Sequence, residues 1–391
     1  MAIRLSIMTL CHSTTPYLAE MLESFLRSGY HFKDTEMVIH DNASPPGGDG
    51  DTAREYARRY PDLIRVVRSD TPCNLNDAYQ RCLDEAKGRY LLNFDYDDVL
   101  VPFDFDAEMD FLDAHDEYGA TYGIKRLFNR ADGDMRQSHG GDSSLFAAAL
   151  DPRETFCGMI YRTSDLRAAG GWHPVCVPDP PMNMPDVISQ LSLNLVKPFY
   201  FRCELRGLYR RHENQNTVVR GEGYPREYQR LRAALAEYYA PLYNGLRERR
   251  TMRITPGQRR PAVALLGTLM MRPDATAEEQ LAYCAAAETL MPDDYGIREY
   301  RIKVLAATER YPEALSEAFA MFAEHRDRPY IAQLAFGIAA QLCEKTGLPA
   351  ANAFRREQKA ELDKLFALTP AQRELLDRTV ANFRAARAVT P

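Results

Sequence analysis

No apolar run in the 391-residue chain approaches the ~18–20 residues that span a bilayer. The longest, Ala262 to Met271, is about half that. The opening MAIRLSIMTL has one Arg and no small-residue cleavage site behind its apolar stretch, so it reads as a first β-strand and not as a signal peptide. No CxxC pair exists among the eight cysteines, and the nearest two, Cys73 and Cys82, lie nine residues apart. That excludes the usual zinc and redox motifs and fits reduced, packed thiols in a cytoplasm. A basic surplus is also missing. The net charge is −6, and the acidic excess lies before residue 250, with 37 Asp and Glu against 30 Lys and Arg. A broad nucleic-acid or anionic-membrane footprint is thereby disfavoured.

What is present is an ordinary globular composition, 45% hydrophobic and 27% charged, over a length that suits two or three domains. The first hundred residues alternate strands and helices. Leu5–Leu10 is apolar and β-prone. Ser13, Thr14 and Thr15 offer caps for a helix carrying Leu18, Met21, Leu22, Phe25 and Leu26 at helical spacing. Met37–His40 and Leu63–Val67 read as strands around a polar helix at 52–60. Asn76 reads as the N-cap of a helix that Gly88 ends, and Tyr90–Phe94 as a buried fourth strand. This βαβαβαβ order predicts an α/β fold, a mostly parallel sheet flanked by helices. Ligands of such sheets bind beyond the carboxyl ends of the strands, which sets Thr9–His12, Asp41–Ser44 and Asp95–Asp98 along one rim.

From 100 to 220 the pattern loosens. A helix is expected near 104–114, strands near 120–128, 155–161, 199–203 and 208–211, short helices near 164–169 and 186–195, and a long helix over 222–250. Beyond about 255 strand signals stop. Segments 277–291, 297–308, 311–324, 329–344 and 351–366 read as amphipathic helices with a loose tetratricopeptide flavour but no clean 34-residue period. The expected division is an α/β domain over 1–250 and an all-α domain over 251–391.

The strongest chemical feature is Asp95-Tyr96-Asp97-Asp98. Three carboxylates in four residues repel one another, and a hard divalent cation would offset that cost. The alternative is an acidic turn and helix cap. Asp41-Asn42-Ala43-Ser44 offers a carboxylate to a nucleobase or ribose, or a plain Asx-turn. Asn74-Leu75-Asn76-Asp77 opens the next helix.

In this order the run VIHDNAS, then NLNDAYQRCLDEAKGRYLLNFDYDDVL, resembles the family 2 glycosyltransferases of the GT-A (Rossmann-like) fold. FCGMIYRTSDLRAAGGWHP looks like that family's acceptor-side segment, and YRRHENQNT like its late Tyr-Arg-x-His element. The resemblance covers about residues 3–220. It implies a metal-dependent, inverting transfer of a sugar from a nucleotide-sugar donor, a UDP-sugar by default, to a hydroxyl of a glycan, lipid or protein acceptor. Cell-surface polysaccharide biosynthesis is the setting it suggests. By resemblance Asp41 contacts the base, with Thr9 and Asn74 on the same nucleotide side. Asp95 approaches ribose or metal, and Asp97 and His212 ligate Mn²⁺ or Mg²⁺, a role suited to neutral imidazole. Arg210 and Arg211 meet phosphate charge or lie solvated at the surface.

Two places depart from the family pattern. The first strand ends Thr9-Leu10-Cys11-His12 where relatives carry Pro-Thr-aromatic-Asn. Before the acceptor-side helix a single carboxylate remains, in Met184-Pro185-Asp186. Asp186 is the candidate base, Asp179 the fallback, and the alternative for Asp186 is a helix cap. The rival readings are a sugar-nucleotide nucleotidyltransferase, against which the absence of a Gly-rich loop after Leu10 counts, and a non-catalytic interaction protein that works through its helical part. That part is expected to bind acceptor, a protein partner or a second subunit. A cytoplasmic chain is expected, with peripheral contact at the inner membrane face where the acceptor is lipid-linked.

Overall fold

The structure is a computed structural model. It describes residues 2–128, 144–150, 158–174, 176, 185–210, 212, 224–325, 329–346, 370 and 374. The chain falls into two compact units. One comprises residues 1–140, 154–228 and 368–391, the other residues 141–153 and 229–367.

Among the described residues the first unit forms an eight-stranded sheet in the order β3-β2-β1-β4-β7-β6-β8-β5. Its strands are β1 (Leu5–Cys11), β2 (Thr35–Asn42), β3 (Ile64–Ser69), β4 (Tyr90–Asn93), β5 (Val99–Leu100), β6 (Ala120–Phe128), β7 (Met159–Arg162) and β8 (Phe199–Arg210). The pairs β1–β2, β2–β3, β1–β4 and β6–β8 are parallel, and β7 runs antiparallel to both β4 and β6. The predicted mostly parallel sheet with helices on both faces is what the chain forms.

Alternation along β1 builds two cores. Leu5, Ile7 and Cys11 face one side, where they meet α1 (Tyr17–Leu26), α2 (Asp49–Arg59) and α4 (Phe105–Ala114) through Leu18, Phe25, Tyr56 and Met109. Met8 and Leu10 face the other, against α3 (Leu75–Glu85) and α6 (Thr163–Ala168), through Tyr79, Leu83 and Leu166, and against Trp172. Each such large side chain contributes ~1.5–3 kcal/mol on full burial. The short helix α7 (Pro185–Asn194) completes this unit, and Leu193 adds to the second core.

Several local expectations need correction. None of Ser13, Thr14 and Thr15 caps α1; Pro16 holds the N-cap position, without a side-chain hydrogen bond. Asn74, not Asn76, caps α3, because its Oδ1 accepts the Asp77 N–H at 2.9 Å, and Asn76 is fully buried. Gly88 does not end that helix, which stops at Glu85. It lets two chains pass, since a Cβ there would lie 2.4 Å from the Ser6 nitrogen. The two strands expected at 199–211 are one, β8. Register shifts opposite Tyr122–Lys125 absorb the irregularity, and Gly123 allows the close approach of Glu204 O. The long helix over 222–250 is two, α8 (Tyr224–Tyr238) and α9 (Ala240–Arg247), with Pro241 in the first turn of the second.

In the second unit the apolar run at 262–271 lies almost wholly in α10 (Arg259–Met270), buried from Pro261 onward. It packs against α9, α11 (Ala277–Leu290) and α5 (Leu145–Leu150). Helices α12 (Tyr295–Ala307), α13 (Tyr311–Glu324) and α14 (Pro329–Thr346) follow, each against its predecessor, so the helical array expected here is present. The helix expected at 351–366 lies outside the described residues. Buried Asp294 ties α5 to α12. It accepts the Phe146 and Gly296 N–H groups, both at 3.1 Å, and the Ser144 hydroxyl. No helix among the described residues is long and apolar enough to cross a membrane.

Candidate functional site

Three parallel neighbours, β2, β1 and β4, end on the same edge. In register, Cys11 stands beside Asp41 and Met8 beside Asn93. The chain leaving each strand therefore delivers its polar residues to one rim.

Asp41 ends up buried, in a turn made by Ala43 at φ +58°. It accepts the Ser44 N–H at 2.8 Å, Arg54 Nη1 at 3.1 Å and the Arg68 guanidinium. A Cβ at Gly50 would lie 2.1 Å from its Oδ2, so only glycine lets α2 pass there. Burial alone would raise this carboxyl. The Ser44 hydrogen bonds and Arg68 outweigh that and hold it below the usual carboxylate range. Nearby, Asp49 accepts the Ser13 N–H at 2.9 Å, and burial pushes it up to about 6.

Beyond β4, a turn closed by Asp98 N–H to Asp95 O, 3.2 Å, brings the acidic run together. Asp95 Oδ1 accepts the Tyr79 hydroxyl at 2.6 Å. Asp97 Oδ2 stands 2.9 Å from His212 Nε2, both side chains nearly buried. Asp98 Oδ1 accepts the Arg210 N–H at 2.9 Å, while its buried Oδ2 has no hydrogen-bond partner among the described residues. Burial and the neighbouring Asp97 raise both Asp95 and Asp98, and the Lys125 charge opposes the rise.

Asp186 is the second residue of α7. Its charge adds to the rise of Tyr79, Asp95 and Tyr161, whose main cause is burial. Thr9 and Asn74 are not on the rim in the same way. Thr9 is buried within β1 opposite Ile39, and its hydroxyl has no partner among the described residues. Both ends of the Asn74 amide are engaged with Asp77, in its capping role.

Arg210 does not lie solvated at the surface. It is buried over the Tyr17 ring, donating to Asp97 O at 2.7 Å and pairing with Glu20. Arg211 and Asp179 lie outside the described residues. Sequence reasoning missed Arg54, Arg68, Asp49, Tyr79 and Lys125. Only Arg68 left a signal, since register sets it directly beside Asp41.

The donor set can be tested against a divalent metal. Among the described residues no three His, Cys, Asp or Glu side chains stand ready as a cage. Asp97 and His212 supply one hard oxygen and one imidazole nitrogen within reach of each other. Asp98 adds a buried carboxylate oxygen lacking a partner, which a nearby cation would favour. Mg²⁺ and Mn²⁺ commonly take one or two protein ligands, with phosphate and water filling the rest. The residues fit such an ion.

The family profile described as "Glycosyl transferase family 2" matches residues 6–173. Over 101 residues the chain is 34% identical to the putative glycosyltransferase EpsE of Bacillus subtilis, covering 26% of this chain and 35% of that one. Over 99 residues it is 27% identical to the minor teichoic acid biosynthesis protein GgaB of Bacillus subtilis, covering 25% of this chain and 11% of that one. These matches thus span about a third or less of the curated relatives' length. Among solved structures, S. aureus TarS 1–349 aligns over 88% of this chain and 92% of its own, at 13% identity and a TM-score of 0.49.

Proposed function

We propose that the protein, whose residues 6–173 match the glycosyl transferase family 2 profile, is a metal-dependent, inverting glycosyltransferase. It moves a sugar from a nucleotide-sugar donor, a UDP-sugar by default, to a hydroxyl of a glycan, lipid or protein acceptor. The observation that carries this reading is the acidic run Asp95–Asp98, gathered with His212 beyond the strand end that neighbours the Asp41 turn.

In this proposal the Asp41 turn, with Arg54 and Arg68, receives the base. Asp95 approaches the ribose or the metal, and Asp97 and His212 hold Mn²⁺ or Mg²⁺. The ion supplies charge stabilisation for the leaving diphosphate. Asp186 takes the proton of the acceptor hydroxyl as its oxygen bonds to the anomeric carbon. The bond from that carbon to the diphosphate oxygen breaks with its electron pair, and nucleoside diphosphate leaves from the opposite face. The helical unit is assigned to acceptor or partner binding.

A thermal-shift panel of UDP, GDP, dTDP and CMP, each with and without Mn²⁺, tests the reading. One nucleotide with Mn²⁺ is expected to raise the melting temperature by roughly 5 °C at saturating ligand. No shift with any nucleotide overturns the transferase reading. An Asp97→Ala variant that keeps the full metal-dependent shift overturns the metal assignment alone.

A further inference from the structure

The Gly170-Gly171-Trp172 turn has a role inside the fold that the glycosyltransferase resemblance leaves unassigned. Both glycines have left-handed φ, +90° and +60°. A Cβ on Gly171 would lie 2.5 Å from Gln80 Oε1, and that same oxygen accepts the Trp172 N–H at 3.0 Å. The turn is thereby fastened to α3.

Trp172 is the chain's single tryptophan and is buried. It stacks on Tyr79, with ring centroids 5.2 Å apart and planes 20° from parallel. The Tyr79 hydroxyl donates to Asp95 Oδ1 at 2.6 Å. A terminal carboxylate torsion is broad and nearly two-fold when free. Held through one oxygen by a buried phenol, it points the other in a fixed direction. A hydrogen bond to an ionised group is also stronger than a neutral one.

We propose that Tyr79, braced by Trp172, is a positioning residue that orients Asp95 so that Oδ2 is the oxygen presented to the bound nucleotide and its metal. The inference rests on the transferase reading and deepens it. Tyr79 acts through Asp95 and touches no reacting atom. The turn that a relative would devote to the acceptor side here also serves the donor side, through three linked contacts.

Tyr79→Phe keeps the ring and its stack and removes only the donor. Calorimetric titration with UDP in Mn²⁺ is expected to show affinity about tenfold weaker than wild type. The emission maximum of Trp172 should stay at its wild-type value, which a general loosening of α3 would move. In a double-mutant cycle, adding Tyr79→Phe to Asp95→Asn should weaken binding no further, because the hydroxyl acts only through that carboxylate. Wild-type affinity in Tyr79→Phe, or full additivity in the double variant, overturns the positioning role and leaves the transferase reading standing. A wild-type protein that binds no nucleotide overturns both.

Discussion

Asp49 carries a pH signature that belongs to one residue. Its carboxyl rises from 3.8 to about 6, mainly through burial, with one oxygen lacking a partner among the described residues. A carboxyl raised on folding stabilises while both states are protonated and loses that contribution as pH climbs through its folded value. The melting temperature of wild type relative to Asp49→Asn should therefore fall between about pH 4 and pH 7. A difference that is flat or rises over that range contradicts the burial argument. Asp186→Asn belongs to the same scale: kcat is expected to drop by about 10²–10⁴-fold with UDP affinity unchanged. Near-wild-type turnover would reject Asp186 as the base. At this scale the sequence was legible where side chains follow directly from a strand end, as with Asp41, Asp95 and Asp97. It was opaque where a partner arrives from afar. Arg54 reaches Asp41 from α2, and Tyr79 reaches Asp95 from α3; neither pairing exists before the helices dock.

At the scale of elements, one residue's displacement redistributes function. The cap of α3 falls on Asn74 because helix geometry starts there, which gives a candidate nucleotide contact a structural role. Asn74→Ala should lower stability by about 1 kcal/mol in chemical denaturation. Asn74→Ser preserves a capping oxygen, so its stability should stay near wild type. A tenfold loss of UDP affinity in that variant would show that the amide also serves the ligand. Strand and helix order was readable because alternation and helical spacing are local. The continuity of β8 was not, since its register shifts are set by β6, some eighty residues upstream in the chain. The break between α8 and α9 was signalled only by Pro241, which a helix tolerates in its first turn.

At the scale of the whole molecule, sequence order and unit order differ. A composition change near residue 250 was visible, because Ala- and Leu-rich helices replace strands. Nothing local marks α5 as a member of the helical unit, since its six residues are apolar wherever they pack. A chain truncated after Arg250 would lack α10, α12 and Asp294, and Leu145 and Phe146 would lose their cover. Such a chain is expected to be poorly soluble, and changing both residues to Ser should recover monomer in size-exclusion chromatography. A soluble, monomeric 1–250 chain that gains nothing from the change would refute this.

The same helix sets a timetable for synthesis. The ribosome delivers α5 well before Arg259–Met270, the helix it packs against. At ordinary elongation rates that interval is roughly ten seconds. For that time the nascent chain carries an apolar helix with no place to go, between two strands of a sheet that is already able to form. Codon-level slowing after residue 150 would lengthen the exposure, and a chaperone that holds short apolar helices would find its opening there.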